Sequence, residues 1–424
     1  MVWGLRTLIG PVPAALNPAC AVHLAGRAGA FPSQEAAAPM PMSYGFLSTY
    51  TPTECGLATF TAALVGELKR PPASRVGVVR VLDRLERSGS RDVVHHLVTT
   101  SPGGEAEAAA ILDGFDAVVV QHEYGIYGGP DGDQVLEVLE RLSVPVIVVL
   151  HTVLVEPTPH QREVLERVLA VADAVVTMTP TARRRLLDFY PVDPARVALI
   201  PHGAPDNRLP GGRRDPAAPD GGPSGARPTI LTWGLLGPGK GIEWVIEALG
   251  DLVDLDPQPR YRVVGETHPR VVEQCGEAYR HRLMKQAAQQ GVAHLVEFDD
   301  GYFATADLGR IVAAADVVVL PYDSPEQVTS GVLVEALAAG KPVIATGFPH
   351  AVELLAGGVG LIVPHRDPAA IAAALRRVLT EPELAAGLGA AAAAVAPQLL
   401  WPAVAARYRS LAVGLVQARD AAVA

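Results

Sequence analysis

From residue 42 onward, short unbroken apolar runs alternate with segments whose apolar residues recur every three or four positions. Runs such as Val144–Leu150 and Val317–Leu320 contain no alternating polar residues, which is typical of strands buried on both faces of a parallel sheet. The intervening segments have the spacing of amphipathic helices. This alternation predicts an α/β protein built from doubly wound parallel sheets.

The predicted elements fall into two series. In the first, strands are expected over Tyr44–Ser48, Arg75–Val81, Val94–Thr99, Ala117–Gln121, Val144–Leu150, Ala174–Met178 and Val197–Ile200, and helices over Gly56–Leu68, Ala106–Leu112, Gln134–Leu142, Arg162–Val171 and Thr181–Phe189. In the second, strands are expected over Ile230–Trp233, Tyr261–Val264, Leu295–Phe298, Val317–Leu320 and Val343–Ala345, and helices over Ile242–Leu249, Ala278–Gln290, Leu308–Ala314 and Val332–Ala339. A last amphipathic helix is expected over Trp401–Val416.

These two series predict two domains, at residues 42–205 and 228–396, with a cleft between them where ligand pockets commonly lie. Residues 206–227 are rich in proline, glycine and charge without periodicity, and we expect them to form a linker. Residues 397–424 hold the last helix, and its spacing does not decide whether it stays on the second domain or crosses back to the first. Residues 1–41 are expected to be a disordered extension, because prolines interrupt their apolar run too often for a signal peptide.

The composition disfavours several classes of protein. The chain of 424 residues has a formal net charge of −10, so no positive field attracts it to nucleic acid or anionic lipid. No apolar run reaches the ~18 residues of a membrane-spanning helix. The three cysteines, Cys20, Cys55 and Cys275, are odd in number and widely spaced, which argues against a disulfide framework or a zinc site and indicates a reducing compartment. We therefore expect a cytoplasmic enzyme without a membrane span or a nucleic-acid partner.

The stretch Ala315–Thr346 gathers polar groups at the end of a strand. Ser330 and Gly331 open a helix directly after a polar loop, and Glu335 follows about one turn further in. A helix start offers unpaired N–H groups and the positive end of the helix dipole, which suit a phosphate or sugar oxygens. Glu335 can accept hydrogen bonds from a ribose diol. A capping serine and a solvated glutamate explain the same pattern equally well.

A second segment, Trp233–Gly241, follows a strand and opens a helix. Gly234 and Lys240 match most of a nucleotide-binding P-loop, but Gly241 stands where that loop needs a Ser or Thr for Mg²⁺, so a P-loop ATPase is disfavoured. The glycines let the backbone approach an anion and Lys240 supplies a positive charge. A tight turn with a solvated lysine is the alternative. The loop after the first strand, Tyr50–Gly56, has a single glycine, which disfavours a nicotinamide enzyme.

The first series also has polar strand ends. Gln121, His122, Glu123 and Tyr124 follow one buried strand, and His151 and Thr152 follow the next. A histidine at the carboxyl end of a parallel strand can reach the crevice and bond a hydroxyl, although a structural histidine is about equally plausible. The pairs Asp131 with Asp133 and Asp299 with Asp300 look like metal ligands, but loop caps explain them better, and we predict no metal site.

Taken in order along the chain, a set of these segments forms a recognisable pattern. The segments are Glu54-Cys55-Gly56, the strand-end His151, ADAVVTMT from Ala172, IPHG from Ile200, Lys240-Gly241, ADVVVLP from Ala315 and EALAAGKPVIAT from Glu335. From Met42 onward the chain resembles the retaining glycosyltransferases of the GT-B fold, family 4, also called glycosyl transferases group 1. The resemblance implies two Rossmann-like doubly wound domains that face a central cleft.

The resemblance also implies a function. Such enzymes move a hexosyl group from a nucleotide-diphosphate sugar to a hydroxyl acceptor, keep the anomeric configuration, and need neither a metal ion nor a cofactor besides the donor. The second domain would bind the sugar nucleotide and the first would receive the acceptor. The donor sugar, the base, the acceptor and the oligomeric state are not indicated by the sequence.

Residue roles follow from the same resemblance. Lys240 would hold the diphosphate and His151 would lie beside the transferred sugar, so both are expected to be catalytic, and Glu335 would accept the ribose hydroxyls. The further expected donor contacts are Gly56, Gly234, Gln327 and the backbone of Ser330, Gly331 and Val332. The expected acceptor-side residues are Glu54, His122, Glu123 and Tyr124.

Two positions depart from the family pattern. Leu235 replaces the usual arginine of the phosphate loop, and Gln327 replaces the first glutamate of the usual pair with Glu335. These losses keep two alternatives open: a disaccharide phosphorylase that uses inorganic phosphate, and a non-catalytic protein that binds sugar nucleotides.

Overall fold

The computed structural model describes residues 41–71, 74–86, 89–101, 103–208, 227–324 and 326–423. The expectations for the N-terminal extension and for most of the 206–227 linker lie outside this part of the chain. The described residues belong to one compact unit that begins at Pro41.

The first half of the described chain forms a parallel sheet in the order β3-β2-β1-β4-β5-β6-β7. Its strands are β1 (Ser43–Ser48), β2 (Arg75–Leu82), β3 (Val93–Val98), β4 (Ala117–His122), β5 (Val146–Leu150), β6 (Ala174–Thr177) and β7 (Val197–Leu199). The helices that connect them are α1 (Gly56–Leu68), α2 (Gly104–Leu112), α3 (Gln134–Leu139), α4 (Pro159–Val171) and α5 (Pro180–Phe189). The strand order reverses between β1 and β4, and ligands of open α/β sheets bind at such a switch point.

The second half repeats this plan in a parallel sheet with the order β10-β9-β8-β11-β12-β13. Its strands are β8 (Thr229–Trp233), β9 (Arg260–Val264), β10 (Val296–Asp299), β11 (Val317–Leu320), β12 (Val343–Thr346) and β13 (Leu361–Val363). Its helices are α6 (Ile242–Ala248), α7 (Pro269–Cys275), α8 (Ala278–Gln289), α9 (Thr305–Ala314), α10 (Gly331–Ala338), α11 (Pro349–Leu354), α12 (Pro368–Thr380) and α13 (Pro382–Leu399). The switch point here lies between β8 and β11.

The strands consist of aliphatic residues that pack on both faces of a sheet. β4 and β5 are buried along their whole length. Val118 and Val148 lie in the core on one face of the first sheet, whereas Val119 and Val149 lie in the core on the other. Each such buried side chain stabilises the fold by roughly 1.5–3 kcal/mol. The unalternating apolar runs of the sequence therefore correspond to strands that are covered on both sides.

The turn between β8 and α6 requires a glycine at residue 241. Gly241 has φ +68°, in the left-handed region, and a Cβ atom there would lie 1.8 Å from the carbonyl oxygen of Pro321. This close approach holds the turn against the end of β11, where the N–H of Asp323 donates to the carbonyl oxygen of Gly239 at 2.9 Å. The residue that is missing from a P-loop is thus excluded by the packing of the turn.

The C-terminal helix α14 (Trp401–Val423) crosses back to the first sheet. The chain is extended at Leu400, with φ −71° and ψ 143°, and this ends α13. Trp401, Val404 and Tyr408 then pack in the same core cluster as Phe60 of α1. A Cβ atom on Gly203 would lie 2.2 Å from the Trp401 ring, so the IPHG turn needs its glycine for this contact. The structure thereby settles a question that the helical spacing left open.

Several elements were not expected from the sequence. No helix was predicted between β9 and Ala278, but α7 lies there, and His268 caps it by accepting from the N–H of Arg270 at 3.2 Å. No element was predicted over residues 347–396, where α11, β13, α12 and α13 lie. α13 is rich in alanine, so its sequence shows little contrast between a buried and an exposed side.

Among the described residues, no single helix is both long and apolar enough to cross a membrane. The pair α12 and α13 passes a test of length and composition only when the two are taken together, and they are bent by 96° at the break between them.

Candidate functional site

A cleft of about 1560 Å³ lies between the carboxyl ends of the two sheets. We call the lining residues from Thr51 to Asn207 the first wall and those from Trp233 to Glu335 the second wall. Most of the residues singled out from the sequence line this cleft: Glu54, Gly56, Glu123, His151, Gly234, Lys240, Gln327, Ser330, Gly331, Val332 and Glu335. His122 and Tyr124 are not among them.

Lys240 lies on the second wall, against an aromatic ring. Its ammonium nitrogen is 4.8 Å from the centre of the Tyr322 ring. Within the described residues no carboxylate forms an ion pair with it, and burial lowers the pKa of Lys240. An anion entering the cleft would satisfy this ammonium group, since a desolvated cation gains most from an opposite charge.

The start of α10 lies on the same wall. Ser330 caps the helix by accepting from the N–H of Leu333 at 3.2 Å, and its own N–H donates to Nδ1 of the buried His350 at 2.8 Å. Burial lowers the pKa of His350 to about 3, so the ring is neutral and can accept. The first-turn N–H groups of Gly331 and Val332 have no acceptor within the helix. The positive end of the helix is therefore directed into the cleft, beside the Lys240 loop.

Glu335 lies one turn further along α10 and is half-buried. Its carboxylate accepts a hydrogen bond from Nε1 of Trp233 at 3.3 Å. Burial raises the pKa of Glu335 to about 7, and the bond from Trp233 opposes this only partly. The carboxyl group has free lone pairs for two hydroxyl donors, which is the geometry that a diol requires.

His151 lies on the first wall, at the end of β5. Its Nε2 lies 2.7 Å from Oε1 of Gln121, and its ring packs edge-on against Phe60 at 5.1 Å. Burial, with His202 and His122 nearby, lowers the pKa of His151 to about 3. The imidazole is therefore neutral at pH 7 and acts as a hydrogen-bonding group, not as a cation.

Glu123 lies next to His151 at the end of β4. Its Oε2 accepts from the hydroxyl of Thr152 at 2.5 Å, and its Oε1 accepts from the N–H of Tyr124 at 3.1 Å. Burial raises the pKa of Glu123, while the bond from Thr152 lowers it. These two bonds fix the carboxylate in the cleft.

The structure places His122 and Tyr124 away from the cleft. His122 is buried, and burial lowers its pKa to about 4. Its ring packs edge-on against Tyr124 at 5.1 Å, and the Tyr124 hydroxyl donates to the carbonyl of Gln161 at 3.4 Å. Successive side chains of a strand point to opposite faces, so Glu123 reaches the cleft while His122 and Tyr124 do not. The sequence pattern could not show which of these side chains faces the cleft.

An aromatic cluster that the sequence only hinted at supports both walls. Phe60 packs edge-on against His202 and Trp401, each at 5.0 Å. His202 lies so close to α10 that a Cβ atom on Gly331 would be 2.9 Å from its Nε2. His202 is the histidine of the IPHG segment, which belongs to the family pattern, whereas Phe60 and Trp401 are apolar residues whose role depends on the fold.

Direct contacts join the two walls around the cleft. The hydroxyls of Thr59 and Tyr302 are 2.7 Å apart. Nη2 of Arg185 lies 2.8 Å from Oε2 of Glu326, in the loop before α10. No sequence motif pointed to Arg185 or Tyr302, because each acts through a partner that is distant in the chain.

No three His, Cys, Asp or Glu side chains within the described ranges are grouped so that they could hold a metal ion.

Two family models and several curated proteins match this chain. A model described as "Glycosyl transferases group 1" matches residues 227–381, and one described as "Glycosyltransferase Family 4" matches residues 106–208. The D-inositol 3-phosphate glycosyltransferase of Frankia alni is 31% identical over 298 residues, which cover 65% of this chain and 69% of the relative. The chain belongs to glycosyltransferase family 4, the glycosyl transferases group 1.

A second family 4 relative, the D-inositol 3-phosphate glycosyltransferase of Geodermatophilus obscurus, is 32% identical over 307 residues. The match covers 66% of this chain and 66% of that protein, so the chain spans just under two thirds of it. These names agree with the expected class of hexosyltransferases.

The architecture is that of the GT-B fold. The crystal structure of HepE from Anabaena, in complex with UDP and glucose, matches with a TM-score of 0.70 at 18% identity. The match covers 88% of this chain and 100% of that chain. The expectation of two Rossmann-like domains that face a cleft is thereby confirmed.

The two departures from the family 4 pattern both lie on the second wall. Leu235 lines the cleft with an aliphatic side chain. Nε2 of Gln327 donates to the carbonyl oxygen of Thr329 at 3.1 Å, within its own loop. Because one replacement removes a positive charge and the other a negative charge, the net charge of the wall is the same as with the family's pair.

Proposed function

We propose that this protein is a retaining hexosyltransferase that moves a hexosyl group from a nucleotide-diphosphate sugar to a hydroxyl acceptor without a metal ion. Residues 228–396 would bind the donor and residues 42–205 would receive the acceptor. The observation that carries the proposal is the desolvated ammonium of Lys240, which has no carboxylate partner among the described residues, in the same cleft as the start of α10. A diphosphate matches both features.

The second wall supplies what bond cleavage needs. As the bond between the sugar C1 and the phosphate oxygen breaks, negative charge develops on the leaving diphosphate. Lys240 and the N–H groups of Gly331 and Val332 would stabilise that charge, and preorganised donors in a desolvated site are effective for this purpose. Tyr322 supports the arrangement, because its ring lies under the Lys240 ammonium and its hydroxyl hydrogen-bonds Ser330.

The first wall supplies the place for the acceptor. In a retaining transfer the acceptor oxygen bonds to C1 on the face from which the phosphate leaves, and the acceptor proton passes to the leaving phosphate oxygen. His151 and Glu123 would orient the sugar and the acceptor by accepting hydroxyl hydrogen bonds. Since the imidazole of His151 is neutral, it can do so without adding a charge beside the reacting carbon.

The two alternatives left open by the sequence differ in the ligand they need. A disaccharide phosphorylase binds inorganic phosphate, which would leave Glu335 without a ribose diol. A non-catalytic binder would tolerate Leu235 and Gln327 as they are. The crystal structure of HepE contains UDP and glucose, and that favours a nucleotide donor for this chain by analogy of fold. A cytoplasmic location stays a prediction.

A thermal-shift titration of the full chain tests the proposal. A nucleoside diphosphate such as UDP, GDP or ADP should raise the melting temperature, because a ligand at 100 times its Kd stabilises the folded state by about 2.7 kcal/mol. Lys240→Ala should reduce the shift strongly, whereas Lys285→Ala, at an exposed lysine of α8, should leave it intact.

Three results would contradict the proposal in different ways. A shift with inorganic phosphate alone would favour the phosphorylase. A shift with a nucleotide, but no sugar release from any nucleotide sugar when acceptors are supplied, would favour the binder. No shift with any nucleotide would remove the donor assignment.

A further inference from the structure

The charges on the first wall restrict the acceptor. Among its described lining residues, the carboxylates are Glu54, Glu123 and Glu156, and the one cation is Arg185. The two histidines of this wall, His151 and His202, are neutral, because burial lowers their pKa values to about 3 and about 4. The surface that would meet an acceptor therefore has an excess of negative charge.

Arg185 already has hydrogen-bonding partners in Glu326. Its Nη2 lies 2.8 Å from Oε2 of Glu326, and its Nη1 donates to the carbonyl oxygen of Glu326 at 3.2 Å. The Arg185 side chain is only 14% exposed, whereas that of Glu326 is 63% exposed. A mostly buried guanidinium held by a carboxylate and a carbonyl has its charge compensated within the protein.

The other cations near the cleft have different partners. Lys240 is the proposed ligand of the donor diphosphate. Arg270 is not among the residues that line the cleft; its Nη2 donates to the carbonyl oxygen of Gly125, and its charge acts on Glu123, whose pKa it lowers. Within the described part of the chain, no lining cation is left to neutralise a phosphate on the acceptor, which would carry about −1.5 to −2 charges at pH 7.

Glu123 has the geometry of a hydroxyl acceptor. Thr152 and the N–H of Tyr124 each donate to one of its oxygens, which leaves each oxygen with a further lone pair. A polyol hydroxyl can donate to that lone pair, whereas a phosphate dianion can only repel it.

We propose that the acceptor of this protein is an unphosphorylated polyol, with Glu123 accepting a hydrogen bond from one of its hydroxyls. This inference rests on the proposed transferase function and specifies its substrate class. It separates the chain from the relatives above, whose names specify a phosphorylated inositol.

The test compares matched pairs of acceptors with the full chain and the nucleotide sugar that it cleaves. The pairs are myo-inositol and its 3-phosphate, glucose and its 6-phosphate, and glycerol and its 3-phosphate. Turnover is followed by nucleotide release and product mass. Acceptor binding is also followed by calorimetry, with the protein saturated by whichever of UDP, GDP or ADP raises its melting temperature, so that a pair without turnover is still compared. In each pair that reacts, kcat/KM should be at least tenfold higher for the free polyol than for its phosphate ester. In each pair that only binds, the Kd of the free polyol should be at least tenfold lower.

Two variants sharpen the comparison. Glu326→Gln removes the carboxylate partner of Arg185 and should reduce the preference for the free polyol at least threefold. Glu140→Gln is the control and should not change the preference, because it removes an exposed partner of Arg167 and neither residue lines the cleft. Glu123→Gln should weaken use of the free polyol and reduce discrimination against the phosphate ester.

The inference is overturned if the phosphate ester is favoured in any pair and Arg185→Gln removes that preference, because Arg185 would then bind the acceptor phosphate. It is also overturned if no free polyol binds or reacts better than its ester. Neither outcome affects the donor assignment, which fails separately if no nucleotide binds.

Discussion

The two walls of the cleft carry the same number of charged side chains, but the cation of each wall has different contacts. Each has three glutamates and one cation among its described lining residues, with Lys240 as the lysine of the second wall and Arg185 as the arginine of the first. The Lys240 ammonium lies over an aromatic ring and has no carboxylate partner in the part of the chain that the structure describes, whereas Arg185 is bonded to Glu326 across the cleft. A cation without a partner is ready for an anionic ligand, and a paired cation mainly positions the loop it holds. A list of residue types would not separate these two roles.

The largest expected effect on the second wall is a loss of stability when the turn that carries Lys240 is disrupted. Gly241→Ala places a Cβ atom 1.8 Å from the Pro321 carbonyl oxygen at a left-handed φ, so we expect destabilisation of about 3–5 kcal/mol and a marked fall in melting temperature. Gly239→Ala is the matched control, because Gly239 also has a positive φ but no atom within 4 Å of its Cβ position, and it should cost about 1–2 kcal/mol. Equal destabilisation by the two variants would contradict the packing argument.

Removing the unpaired cation itself comes next. Lys240→Ala should weaken donor use by about 1.5–3 kcal/mol, the range of a hydrogen bond to a charged group. The measurement is kcat/KM for the nucleotide sugar, with the nucleoside diphosphate Kd beside it. If kcat/KM and the Kd are both unchanged, Lys240 does not bind the diphosphate. The lack of a carboxylate partner would then not distinguish the role of Lys240 from that of Arg185.

The neutral imidazole of the first wall should act on turnover more than on binding. His151→Ala is expected to lower kcat by a factor that corresponds to about 1–2 kcal/mol, because a neutral hydrogen bond is lost beside the reacting sugar. The change in donor affinity should be smaller. His281→Ala, at an exposed position of α8, serves as control. A change confined to donor affinity would make His151 a residue that only positions the donor.

The smallest expected effect is a pH dependence from Glu335. Its pKa of about 7 in the folded protein lies above the ordinary value, so the unfolded chain loses this proton at lower pH than the folded one does. The contribution of this group to stability therefore falls as the pH rises from about 4.5 to 7 and is level above that. The affinity for the donor should instead increase as the pH rises, because a ribose diol donates its hydrogen bonds to the ionised carboxylate of Glu335.

Between pH 6 and pH 8, this ionisation alone should strengthen nucleoside diphosphate binding by about tenfold. Glu335→Gln should make the affinity nearly independent of pH over that range, since the amide cannot titrate. Calorimetry at several pH values gives the Kd directly. An unchanged slope in the variant would show that another group titrates.

Much of the second wall could be predicted from the sequence because its functional groups are close together in the chain. Gly234, Lys240 and the segment from Ser330 to Glu335 lie at strand ends and helix starts, where the βα pattern alone directs them to one edge of a sheet. The first wall was predicted less well. His151 and Glu123 line the cleft, but His122 and Tyr124 do not, because the direction of a side chain at a strand end depends on how the neighbouring elements pack.

The sequence by itself determined most of the strands and helices up to β12, the division into two βα series and the family, since these follow from local periodicity and from short contiguous motifs. Only the tertiary structure decided which charges are free and which are paired. The bond between Arg185 and Glu326, the contact of Thr59 with Tyr302 and the return of α14 to the first sheet each join residues more than a hundred positions apart. Such contacts depend on the burial and geometry of the whole fold, and no local pattern in the chain encodes them.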